Sequence, residues 1–334
     1  MSSIADRRAR LYSDEIGSFE NCLENKVEYK TYEKKLQDTI MFIKNKLKED
    51  GSFGRKYLKL FNYIEAKYND GYNRALAFMV IDISYRRDVL NGQLSLLDDV
   101  FSEEKYEDFY KENVSVAAYY LSVRAKLPYY YGFDMIKDIS SYNIEQFLAF
   151  SGSIFEQYVA GSIVQSKQKR SLRISPAEQE RYLQQVATQR YNEILSKFEY
   201  GKNIQNLFNN LSRRSQWTRD KGTNPYAGGA ATGVAIAKSS LKELNTEKYG
   251  MLAKVISDCI SSNYFEKRTI MHSSQEWMVL YYNRWLCVHY NLPLSYGGWF
   301  RATLSDLNAF LQPPDKKQKR EDLPIEIAMS EVLS

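Results

Sequence analysis

Apolar residues recur at helical spacing through the first 126 positions. Leu36, Ile40, Ile43 and Leu47 stand four, three and four apart, which predicts a helix over 32–49 with one apolar face. Asp50-Gly51 stops it, because glycine tolerates the left-handed conformation at a helix C-terminus. Leu58, Phe61 and Ile64 mark a second helix over 55–68, closed by Asn69-Asp70-Gly71. A third, over 73–88, is apolar round most of its circumference (Leu76 to Ile81, then Ile83), the pattern of a helix buried on all sides, and Asn91-Gly92 ends it. Phe109, Val116, Tyr120 and Val123 place a fourth over 106–126, which stops at Leu127-Pro128.

Beyond Pro128 the elements shorten. Tyr129-Tyr130-Tyr131-Gly132-Phe133 leads into a short helix ending near Ile139, and Ser140 to Asn143 breaks it. A helix resumes over 144–159 with Phe147, Leu148, Ser151, Ile154, Phe155 and Tyr158 on one face. The clearest local signal is Ser175-Pro176-Ala177-Glu178: a capping serine, a proline at the first helical position and a glutamate able to return the hydrogen bond. It starts a helix over 176–198. Ile204, Leu207, Phe208 and Leu211 predict another short helix, the polar, glycine-rich stretch 218–229 reads as a loop, and 251–260 is helical. Short strands are expected at 233–237, 269–272 and 300–303, and from Pro313 onward the Lys/Arg-rich chain reads as a disordered tail.

At 334 residues the chain is long enough for two or three domains, and 16 Gly with 7 Pro are too few for a turn-rich all-β architecture. Three scattered cysteines, Cys22, Cys259 and Cys287, give no disulfide framework and fit a reducing cytoplasm. Two histidines, His272 and His289, nearly exclude a multi-histidine metal site. No run of 18 apolar residues and no apolar signal core occur, so the expected location is cytoplasmic, without a membrane span or secretion. No cofactor is expected.

Charge placement changes this bland picture. Between positions 163 and 222 twelve Lys/Arg face five acids, a surplus of seven in a protein of net charge +5, so the rest of the chain sums to −2. Between 93 and 115 the sign reverses, with seven acids against Lys105 and Lys111. The basic stretch points to a polyanionic partner, nucleic acid first; the alternative is a solvated helix face that serves solubility. Candidate phosphate contacts are Lys167, Lys169, Arg170, Arg173, Arg213, Arg214, Arg219 and Lys221, with Trp217 beside them as a stacking residue. Tyr182 and Tyr191, in the same stretch, serve equally well as core residues.

Enzyme signatures are missing. Gly228 to Gly233 followed by Lys238-Ser239 has the wrong spacing for a phosphate-binding loop and reads as a glycine-rich turn into a packed element. Gly-x-Ser-x-Gly, His-Glu-x-x-His and Cys-x-x-Cys do not occur. Cys287 and His289 lie two apart, a spacing that does not make the side chains meet on a helix. The acids from Asp98 to Glu112 lack metal-ligand spacing and read as a solvated face, and no nucleophile, base and orienting group assemble.

Two ordered blocks carry a resemblance. Leu127 to Ile136 with Ile139 to Leu148 resembles the helical lid of bacterial AAA ATPases of the origin-recognition-complex type. Tyr281 to Val288 with Leu292 to Trp299 is similar to the C-terminal part of the same proteins, where a winged-helix-like region follows the lid. Together the blocks cover about 73–311. The family's phosphate loop and acidic metal-binding strand are absent, and the position of its second-sensor arginine holds Glu145, an acid that would repel phosphate. The resemblance therefore implies a mainly α chain that does not hydrolyse ATP by itself: a helical N-terminal region (1–126), AAA-lid-like helices (127–165), a basic winged-helix-like α+β region (166–311) and the tail (312–334). It also implies DNA or a nucleoprotein as partner, an AAA ATPase subunit as a possible companion, and a bacterial mobile-element or antiphage-defence setting. The function expected is a non-catalytic nucleic-acid-binding or adaptor subunit. The alternative is a protein–protein interaction subunit without DNA contact, docking through its aromatic helices and acidic face.

Overall fold

The computed structural model describes residues 5–7, 18–50, 54–90, 102–165, 173–221, 230–296, 298–314 and 327–329. Four helices, α1 (Glu33–Glu49), α2 (Arg55–Lys67), α3 (Gly71–Leu90) and α4 (Glu103–Ala125), pack around their own core of Leu36, Ile40, Leu47, Leu60, Ile64, Phe78 and Ile81. The all-round apolar α3 is the central member, as its sequence predicts. At α4, Ser102 accepts the Lys105 N–H at the N-terminus, and Lys126 takes the left-handed conformation after the last turn. Among the described residues of the bundle one charged group is buried: Asp82, 2% exposed, is held by Lys46 at 2.7 Å and by Arg86.

A second core begins where the chain leaves α4. It joins α5 (Phe133–Ile139), α6 (Ile144–Gln165), α7 (Pro176–Lys197) and α8 (Gly201–Lys221) to one face of a sheet. Phe19 and Leu23 belong to it too, so an early segment packs back against these helices. The capping box at α7 is formed as the sequence reads, Ser175 and Glu178 exchanging bonds. Gln179, fully buried, ties the segments together: its amide donates to the carbonyls of Glu24 and Ile174, and its Oε1 accepts the N–H of Gly132, whose φ of 88° suits glycine.

The C-terminal part mixes helix and sheet. After α8 come β1 (Ala231–Ala237), two 3-10 segments (Lys238–Asn245, Glu247–Tyr249), α9 (Gly250–Ser261) and the hairpin β2 (Phe265–His272) and β3 (Gln275–Tyr282). Then follow α10 (Arg284–His289), β4 (Gly298–Arg301), α11 (Leu304–Ala309) and β5 (Ile327–Met329). The strand order is β2-β3-β1-β4-β5, antiparallel except for β1 beside β4. The protein is thus mainly helical with a small C-terminal α+β region, as expected.

Several elements differ from the sequence reading. The short helix expected around 204–211 runs to Lys221, because Ser215 and Thr218 continue its buried face as polar residues: Ser215 shares a hydrogen bond with Tyr282, and Thr218 accepts the N–H of Ala231. The expected loop therefore cannot begin at Thr218. β3 escapes the sequence reading altogether, although its turn, Ser273-Ser274 with φ of 49° and 60°, has the backbone of a two-residue hairpin loop. Ile327–Met329, within the tail expected to be disordered, instead pairs with β4.

Candidate nucleic-acid interface

The region from α8 to β3 places a helix, a strand, a helical connection, a second helix and a hairpin in succession, with β3 returning between β2 and β1. This succession of elements forms one α+β unit. Each part has a local cause. Ile204, Leu207, Phe208 and Leu211 fix the inward face of α8, and β1 is buried from Ala231 to Ile236 because α8 covers the sheet face while β3 and β4 flank the strand. On α9, Leu252, Val255, Ile256 and Cys259 turn inward, leaving Met251, Lys254 and Ser257 exposed. Along β2 the exposed positions are Lys267, Arg268, Thr269 and Met271.

Of the nine residues picked out as nucleic-acid contacts, Lys167, Lys169 and Arg170 lie outside the described residues, as does the side chain of Lys221. Arg173 is exposed, its guanidinium 4.0 Å from Glu24. Arg213 and Arg219 are half-buried on α8, and Arg219 donates to the carbonyl of Asn291 at 3.1 Å. Trp217 is half-buried with its indole nitrogen inside the protein, which removes it as an open stacking platform. Arg214 is corrected outright. Only 4% exposed, it stacks its guanidinium carbon 4.5 Å from the Phe310 ring and 5.5 Å from Phe300, so it does not meet a partner on the surface. The helix that carries these arginines is the packed first helix of the unit, and it spreads them over its flanks rather than presenting them on one face.

Beyond α8, where Lys202 is exposed, the exposed cations of the unit among the described residues are Lys238, Lys242 and Lys248 on the 3-10 segments, Lys254 on α9, and Lys267 and Arg268 on the hairpin. Lys238 pairs with Glu276 at 2.6 Å, Lys254 with Glu199 and Arg268 with Glu266, while Lys242, Lys248 and Lys267 make no ion pair with a described residue. Sequence counting misses this set because Glu243, Glu247, Asp258 and Glu266 are interleaved with it and dilute the local charge. The sequence signal available was the lysine-bearing link between a short strand and the 251–260 helix.

The remaining chemical candidates resolve as structural groups. Gly233 lies inside β1, where an added Cβ would stand 2.8 Å from the Tyr281 ring, so the glycine-rich run leads into a packed strand. Burial pushes the Cys287 thiol up to about 12, and burial brings His289 down to about 4. The two are not partners: His289 bonds Thr188 through Nδ1 at 3.1 Å and stacks on Tyr191. Glu145 is exposed in the first turn of α6. Among the described residues no group of three or more His, Cys, Asp or Glu side chains is placed to hold a metal ion, and no helix is long and apolar enough to cross a membrane.

The sequence profile of a family described as ORC-CDC6-like matches residues 8–298. No curated protein and no solved structure matches the chain.

Proposed function

The chain belongs to the ORC-CDC6-like family, and from that premise we propose that it is a non-catalytic DNA-gripping subunit working with a separate AAA ATPase. The family relates it to the AAA proteins of DNA-replication initiation. The phosphate loop such proteins use is missing from the sequence, so nucleotide turnover falls to another chain. The observation that carries the reading is the connectivity of α8, β1, α9 and the β2–β3 hairpin. A unit of this build offers DNA a helix with solvated side chains and a projecting hairpin; here Lys254 stands on the helix and Lys267 on the first strand of the hairpin.

Phosphate contact by lysine is sequence-independent and steep in salt, with a slope of about 0.9 per contact on duplex DNA. Reversing Lys242, Lys248 and Lys267 together to glutamate is expected to weaken binding alike on unrelated duplexes and to lower the salt slope by about 2.7. Fluorescence anisotropy between ~50 and ~200 mM salt reads both. Unchanged affinity and slope in the folded triple variant would remove this surface as the DNA contact.

A second reading has one observation in its favour. Glu103, Glu104, Asp108 and Glu112 form an exposed acidic side of α4 in the N-terminal bundle, fit for a basic protein partner. Stable co-purification with such a partner, with no duplex binding at low salt, selects that reading.

A further inference from the structure

At the end of the sheet where β1 runs out, a cavity of about 570 Å³ is lined by Arg214 of α8, Trp277 of β3, Arg301 of β4, Asp306 of α11, and Ser240 and Thr303. Its volume lies within the range of small-molecule sites, roughly 300–1,000 Å³. The side chains around it include two buried donors. Nε of Arg214 and Nε1 of Trp277 have no acceptor among the described residues. Phe300 and Phe310 give the Arg214 guanidinium favourable ring faces but accept no hydrogen bond of ordinary strength. Asp306 acts on it only through space, with one carboxylate oxygen accepting the N–H and O–H of Thr303 at 2.9 and 2.8 Å. Arg301 adds a second guanidinium, 5.0 Å above the Trp277 ring.

An arginine only 4% exposed is expensive to hold without a bonded anion. What fits beside the buried Arg214 guanidinium and an indole N–H is an acceptor, and the charge of Arg214 favours a negative one. We propose that this cavity binds a phosphoryl group, carried by a free nucleotide or by the phosphorylated end of a nucleic-acid strand. The planar fork of arginine suits the oxygens of a phosphate, and the remaining volume leaves room for the carrier. The site uses α8, β3, β4 and α11 and not the exposed lysines, so it stands or falls apart from the duplex-binding reading.

The test uses the full chain and five probes: inorganic phosphate, AMP, ATP, a 5′-phosphorylated oligonucleotide and the same strand with a 5′-hydroxyl. Tryptophan fluorescence and thermal shift follow binding. At least one phosphate-bearing probe is expected to saturate, with affinity reduced at least ~10-fold in Arg214→Met and several-fold in Arg301→Gln. Preference for AMP or ATP identifies a nucleotide site, and preference for the 5′-phosphate over the 5′-hydroxyl identifies a strand end; either upholds the proposal. In phosphate-free buffer Arg214→Met is expected to melt at or above the parent temperature, since it removes an uncompensated buried charge and packs on the same two rings. The proposal is overturned by the absence of saturable binding to every phosphate-bearing probe, or by parental affinity in either variant. A marked fall in the melting point of Arg214→Met without phosphate overturns it as well, because that result makes the arginine structural.

Discussion

His289 gives the protein a sensitivity to mild acid whose size follows from its surroundings. Its ring lies on Tyr191 at 4.2 Å between centroids, tilted by 19°, with Tyr290 edge-on at 4.6 Å. Nδ1 shares a hydrogen bond with the Thr188 hydroxyl. Burial against these rings disfavours the imidazolium and depresses the group to about 4, against about 6.5 in an unfolded chain. The unfolded chain therefore takes up a proton that the fold refuses. This contribution to stability is complete above about 6.5 and is lost as pH falls toward 4. Each unit of difference is worth about 1.36 kcal/mol, which sets a ceiling of about 3.4 kcal/mol; partial exposure of the ring brings the expectation to about 2 kcal/mol by pH 4.5. Urea unfolding at intervals from pH 7.5 to 4.5, on the parent and on His289→Gln, isolates the effect from the carboxylates that both proteins share. The parent should lose about 2 kcal/mol more than the variant over that interval. Parallel pH profiles would show that the imidazole charges freely in the folded state and would refute the argument. With two histidines in the chain, proton NMR assigned through the same variant gives the folded-state titration directly.

Two further outcomes follow from buried contacts. At Asp82, burial alone would raise the carboxyl, but Arg86 and Lys46 outweigh it and hold the group below the usual carboxylate range. Asp82→Asn leaves two cations without their counter-charge and should cost about 3 kcal/mol in urea unfolding; a loss below about 1 kcal/mol would mean that the triad is solvated. At Gly233, a side chain would meet the Tyr281 ring at 2.8 Å and Trp299 Cβ at 3.2 Å, with both neighbours held in the sheet. Gly233→Val should lower stability by about 1–3 kcal/mol, and a variant as stable as the parent would show that the strands part easily.

The helices were legible in the sequence wherever one face alone was apolar. Leu36 to Leu47 and the Ser175 capping box set α1 and α7 to within a residue or two of the observed ends. The sheet was harder to read for a physical reason. β1 is covered on both faces, so Ala231 to Ile236 shows no alternation, and β3 is exposed only at its first residue and buried at most later positions. α8 hid half its length because Ser215 and Thr218 are buried with hydrogen-bond partners that the sequence does not announce. The exposure of the candidate contacts was hard to read for a related reason. A charge count weighs every arginine equally, whereas Arg214 faces inward and Lys242 outward.

That inward turn is systematic enough to bear on what the protein can recognise. Arginine is weakly hydrated and planar, so a chain with 27 tyrosines, 16 phenylalanines and 4 tryptophans has many ring faces on which to lay it. Arg190 lies over Trp285, Arg214 over Phe310, Arg284 over Tyr296 and Arg301 over Trp277. From β1 onward the exposed cations among the described residues are, apart from Arg268, lysines, and Arg268 itself stacks on Tyr296 and pairs with Glu266. Lysine meets phosphate as a point charge, while bidentate reading of a base edge is the work of arginine, asparagine or glutamine. On the DNA-gripping function proposed above, a surface of this composition would hold the backbone of a duplex and discriminate little among sequences. Positional choice then has to come from a partner chain or from a feature of the DNA other than its base order, such as a strand end carrying phosphate, the chemistry that the Arg214 cavity is built to receive.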